Sequence, residues 1–122
     1  MRRAAAPGLI VVDVSFISLR KVLPAVLACA AERFDALAMV KPQFEVGKGR
    51  VGSGGVVRDP LQRRAALLDV ARDVRDEAGA AVLGFASSGL PGPKGNRETF
   101  VWLGEGARGG VDVEARLAEA DA

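Results

Sequence analysis

Four short apolar runs divide the chain. Leu9 to Val12 (LIVV) is continuous and β-branched, the pattern of a strand buried on both faces, and it stops at Asp13. Ala36 to Val40 is a second such run and stops at Lys41. Ala80 to Ala86 (AAVLGFA) and Thr99 to Leu103 (TFVWL) make a third and a fourth. Between the first two, LRKVLPAVLACAAE carries a helical pattern that Ser15 or Ser18 can cap, and Pro24 should kink it or open a second turn. Between the second and third, Asp59-Pro60 is a helix start, with a capping carboxylate, a preformed first turn and Gln62 three residues after the cap. Leu67, Val70, Ala71, Val74 and Ala78 follow helical spacing, Arg63, Arg64, Arg72, Arg75 and Asp76 lie mostly off that face, and Gly79 ends the helix.

Strand, helix, strand, helix, strand is the alternation of an α/β sheet with parallel crossovers. The last step differs, because SSGLPGPKGN holds no helical pattern and a loop of roughly a dozen residues favours an antiparallel return. The expected fold is therefore a mostly parallel sheet with a reversed last strand. In open α/β sheets ligands bind outside the carboxyl ends of the parallel strands. Asp13 and Lys41 end the first two strands, and Glu98 begins the reversed one, so all three belong to that rim. A lysine closing a buried strand is costly unless paired, and Asp13 and Glu98 are its natural partners. The plainer reading is three solvated strand-end charges, with Asp13 capping the helix that follows.

Composition limits the chemistry. At 122 residues, 49% apolar and 26% charged, the chain suits one globular domain. Net charge is only +2, but 13 of the 17 basic residues are arginines, which suits phosphate recognition and equally reflects a genome rich in Arg, Ala and Gly. With no histidine, histidine bases and the common hydrolytic triads are excluded, and with a single cysteine as well a zinc site is strongly disfavoured. Cys29, in an apolar helical run, is expected as a buried filler. The apolar patch after Arg2 and Arg3 is too short for an export signal or a membrane span, so a cytoplasmic protein is expected. Gly47 to Gly52 (GKGRVG) matches G-x-G-x-x-G but does not open a helix, so a dinucleotide fingerprint is disfavoured. A loop over a nucleic-acid site, with Lys48, Arg50 and Arg58 as phosphate contacts, stands beside the alternative of solvated loop charges.

The segments DVSFISL (Asp13 to Leu19), VKPQFEVGKGRVGSGGVVRDP (Val40 to Pro60) and LPGPKGNRE (Leu90 to Glu98) together resemble the TlyA family. These are bacterial ribosomal RNA 2′-O-methyltransferases with an FtsJ-like, Rossmann-like methyltransferase domain. The resemblance implies S-adenosylmethionine as cofactor, ribosomal RNA or a ribosomal subunit as partner, and the same reversed last strand. Of the family's Lys-Asp-Lys-Glu catalytic set, Asp13, Lys41 and Glu98 match the last three members, and Asp13 also borders the cofactor. The first lysine and the glycine-rich cofactor loop have no counterpart. By this resemblance residues 1–104 read as the C-terminal half of the domain, expected to be inactive alone, with its N-terminal half missing, and residues 105–122 as a tail with a short exposed helix. Gly89 replaces a frequent proline and Lys94 a frequent serine. Lys94 and Asn96 join Lys48, Arg50 and Arg58 as expected RNA contacts. Whether Lys41 would act as a base or as a charged orienting group stays open. Asp13-Val14-Ser15-Phe16 also shares its first and last residue types with the D-P-P-Y motif of base-amine methyltransferases, without the prolines. The alternative from another class is a non-enzymatic RNA-binding or assembly domain.

Overall fold

In the computed structural model the structure describes residues 6–46, 55–91 and 96–119. Strand β1 covers Leu9–Val12, the span of the apolar run, but contrary to the burial on both faces expected, Leu9 and Val11 are exposed while Val12 is buried, because the helices pack on one face only. Helix α1 (Leu19–Leu27) starts on Ser18, whose hydroxyl accepts from the Arg20 amide at 3.1 Å, and it runs through Pro24. It buries Leu19 and Leu23. Because it ends at Leu27, Cys29 falls beyond it and is exposed, contrary to the buried filler expected. Strand β2 (Asp35–Val40) alternates half-buried and buried residues, and Lys41 then serves as N-cap of a one-turn helix, α2 (Pro42–Glu45), with proline in its first turn.

Asp59 caps α3 (Pro60–Glu77), accepting from the Leu61 amide at 2.9 Å. Leu67, Val70, Ala71 and Val74 are buried as their spacing predicts. Arg63, expected off the apolar face, is buried as well, because its guanidinium turns back under the preceding segment and donates to the Arg58 carbonyl at 2.8 Å. Gly79, at φ +68°, makes the left-handed turn out of the helix. Strand β3 (Ala81–Pro91) is longer than its apolar core, continuing through two register shifts, with Gly89 in the left-handed region. Strand β4 (Arg97–Gly104) returns along it, and a 3-10 turn (Gly106–Arg108) leads to α4 (Val113–Glu119). The tail helix is not an exposed appendage, since Val113 and Leu117 belong to the core.

The strand order is β1-β2-β4-β3. β1 pairs parallel with β2, while β4 pairs antiparallel with both β2 and β3. The last strand is reversed as expected, and β1, β2 and β3 share one direction. Yet two ladders of three are antiparallel, so the expectation of a mostly parallel sheet is corrected. The physical reason is position: a reversed strand at an edge converts one ladder, but β4 lies inside the sheet and converts two.

The core lies on one face. Val12, Ala36, Ala38, Val40, Val101 and Leu103 meet Leu19 and Leu23 of α1, the apolar stripe of α3, and α4. The residues between them in sequence, among them Leu9, Val11, Leu37, Met39 and Trp102, turn to the other face.

Candidate functional site at the strand-end rim

The rim is built by chain direction. β1 delivers Asp13 and β2 delivers Lys41 to the same end, and the β2–β4 register, which pairs Val40 with Thr99, places Lys41 opposite Glu98 one step further on. The Lys41 ammonium lies 2.5 Å from Asp13 Oδ1 and donates to Ser15 Oγ at 3.0 Å. The lysine side chain is 12% exposed and that of Asp13 56%, so the pair joins a sheltered cation to an open anion. The rim thus brings together Asp13 and Lys41 as expected.

Glu98 stands apart from that pair. It is buried, and it accepts from Gln43 Nε2 at 3.2 Å instead of meeting the ammonium. Among the described residues no ion pair joins Glu98 to Lys41. Gln43 therefore lies beside the second acid, with its own Oε1 buried and, among the described residues, without a hydrogen-bond partner.

Beside the ion pair lies an aromatic surface. Phe16 has φ +66° and is 89% exposed, and its ring sits 5.0 Å from that of Phe44 at 46°. A left-handed backbone costs a residue with a Cβ roughly 1–2 kcal/mol. The turn that carries Phe16 outward is the same turn that brings Ser15 to Lys41.

Glu45, last residue of α2, faces inward. It accepts from the Ser18 hydroxyl at 2.6 Å and from the Leu19 amide at 2.8 Å, capping α1 from a distant part of the chain. Burial raises its pKa above the ordinary glutamate value, opposed by the hydrogen bonds from Ser18 and Leu19 and by Arg20.

The expected RNA contacts divide. Lys48, Arg50 and Lys94 lie outside the described residues. Arg58 is exposed. Asn96 is 1% exposed and is spent on structure: its Oδ1 accepts from the Val57 amide and its Nδ2 donates to the Gly55 carbonyl, both at 2.9 Å. That clamp holds the Asn96 amide between the Val57 and Gly55 backbone groups. Sequence reasoning did not single out Ser15 as a lysine partner, nor Gln43, Phe44 or Glu45. Three of those four lie in the KPQFE string, where the signal was a proline directly after a strand end, which starts a helix turn and sends its side chains both into and along the rim.

Residues 2–105 match the model of the FtsJ-like methyltransferase family. The chain belongs to that family. Among relatives of this FtsJ-like chain, the 16S/23S rRNA (cytidine-2′-O)-methyltransferase TlyA of Mycobacterium tuberculosis is 55% identical over 95 residues, covering 78% of this chain and 35% of the relative. The putative rRNA methyltransferase YqxC of Bacillus subtilis is 39% identical over 106 residues, covering 84% and 37%. The FtsJ-like chain thus spans little more than a third of the length of these relatives. A solved structure, a putative hemolysin from Lactococcus lactis, superposes with a TM-score of 0.85 at 30% identity, over 97% of this chain and 58% of that one. The reversed strand and the rim therefore sit within an FtsJ-like frame. Among the described residues no helix is long and apolar enough to cross a membrane.

Proposed function

We propose that this chain carries the acceptor side of an S-adenosylmethionine-dependent RNA 2′-O-methyltransferase acting on ribosomal RNA. The observation that carries the reading is the sheltered Lys41 ammonium on Asp13 at the strand-end rim of an FtsJ-like sheet. Lys41, directed by its ion pair with Asp13, orients the ribose hydroxyl and stabilises negative charge developing on its oxygen. Asp13 and Ser15 fix the direction of the ammonium, which is the positioning that in-line transfer requires. Phe16 offers an open ring on which a nucleobase stacks. S-adenosylmethionine supplies the methyl group when bound. The rim suits its cationic sulfur, because Asp13 is the half-open carboxylate there and its Oδ2 takes no hydrogen bond among the described residues. Lys48, Arg50, Arg58 and Lys94 complete the reading as phosphate contacts.

A chimera tests this, with the matched segment of TlyA replaced by this chain. Incubated with ribosomal RNA and S-adenosylmethionine, it is expected to yield ribose-methylated nucleosides on digestion and mass spectrometry. Lys41→Ala should lower transfer by about 10²–10³-fold with cofactor affinity nearly intact, as loss of a transition-state donor does. Methyl groups on bases, or near-normal turnover by Lys41→Ala, would overturn the reading.

A further inference from the structure

Three features of the rim converge on one cation. Glu98 is buried, yet among the described residues it receives a single hydrogen bond, from Gln43 at 3.2 Å. Gln43 Oε1, on the same amide, is buried with no donor among the described residues. Its orientation is fixed by the bond its nitrogen makes, since turning the amide over would set its oxygen against the glutamate carboxylate. Lys41 has three ammonium protons, of which Asp13 and Ser15 take two, and it stands opposite Glu98 in the extended β2–β4 register. Buried acceptors are almost always satisfied, and an exception two residues along the chain from a lysine calls for a donor that arrives there.

We propose that Gln43 is a positioning residue: with Glu98 it forms an inner seat for the Lys41 ammonium, which exchanges between that seat and the outer one on Asp13 and Ser15. The outer seat is open to water and the inner one is dry, so the two favour the cation by different means. Outside, the ammonium keeps part of its hydration. Inside, it satisfies an orphaned acceptor and a buried carboxylate together. The hydrogen bond from Gln43 holds Glu98 at the distance that keeps the inner seat open when the lysine is outside. The role of the exchange in methyl transfer rests on the function proposed above, but the exchange itself is read without substrate or cofactor, so failure of one leaves the other standing.

The experiment uses the 122-residue chain. Asp13→Ala removes the charged outer partner at an exposed position. Its crystal structure is expected to show Lys41 Nζ within about 3 Å of Gln43 Oε1. In solution, a nuclear Overhauser cross-peak between the Lys41 ε-methylene and the Gln43 side-chain amide should grow severalfold over wild type. Should Asp13→Ala fail to fold, Ser15→Ala removes the other outer acceptor and should strengthen the same cross-peak. Adding Gln43→Leu to either variant should leave Lys41 outside. The proposal is overturned if Lys41 turns to solvent with the cross-peak unchanged, or if it reaches Glu98 equally well in the Gln43→Leu background.

Discussion

The Glu45 carboxylate accepts from a hydroxyl and a backbone amide that α1 would otherwise leave unpaired, and it does so from a dry position. Burial is the larger influence on its charge, so the folded chain binds the Glu45 proton more firmly than the unfolded chain. The stability this group contributes is full below the ordinary glutamate value, about 4.3, and falls as pH rises through the raised folded value. Glu45→Gln keeps one capping oxygen and loses the other. It should cost about 1–3 kcal/mol at the acid end, the price of an unsatisfied buried donor. Because the wild type alone pays for ionisation, that deficit should narrow as pH rises from 4 towards 7. Urea unfolding of both proteins across that range decides, and a deficit that widens with pH would show that the hydrogen bonds, not burial, govern the group.

At the scale of elements, the opposite rim is pinned by one arginine. Arg108, on the turn after β4, donates to Asp35 Oδ1 and to Glu105 Oε1, each at 2.7 Å, and to the Phe34 carbonyl at 2.9 Å. Trp102 on β4 donates to the same Asp35 oxygen at 2.9 Å, so the start of β2, the end of β4 and the turn share one knot. The hydrogen bond from Arg108 is the main reason that both Asp35 and Glu105 sit below their ordinary carboxyl values. Here the pH dependence runs opposite to that of Glu45. The knot's contribution is present above the ordinary acid values, about 4, and fades as pH falls through the lowered ones. Arg108→Met should therefore melt below wild type at pH 7, and the gap should close near pH 2. A gap independent of pH would mean that Arg108 acts by packing alone. Element existence was largely legible in the sequence: β1 and the Asp59-Pro60 helix start are where apolar continuity and cap chemistry put them. The insertion of β4 between β2 and β3 was not, because the apolar runs mark strands and not which neighbour a ladder chooses. Chain direction let Asp13 and Lys41 be placed at one rim, whereas the Gln43 side chain on Glu98 depended on a one-turn helix that periodicity is too short to reveal.

For the molecule as a whole, the decisive asymmetry is that α1, α3 and α4 share one face of the sheet. The other face presents Leu9, 68% exposed, and Val11, 64% exposed, on a strand whose outer edge pairs with nothing among the described residues. Trp102 extends the apolar surface two strands across. A bare edge beside an apolar face is the arrangement that strands of other chains add to, and β1 carries none of the lysines or prolines that usually blunt such an edge. The chain alone should therefore self-associate with rising concentration. Val11→Lys, which places a charge where the side chain is already exposed, should return it to a monomer without lowering its melting temperature. Leu61 provides the control, being 71% exposed but on helix α3 and not on a strand. If general surface greasiness drove association, Leu61→Lys would relieve it as well as Val11→Lys. If the edge drives it, Leu61→Lys should leave the association unchanged. Sedimentation velocity over a concentration series separates these outcomes, and a wild-type chain monomeric throughout would show that β1 is already protected.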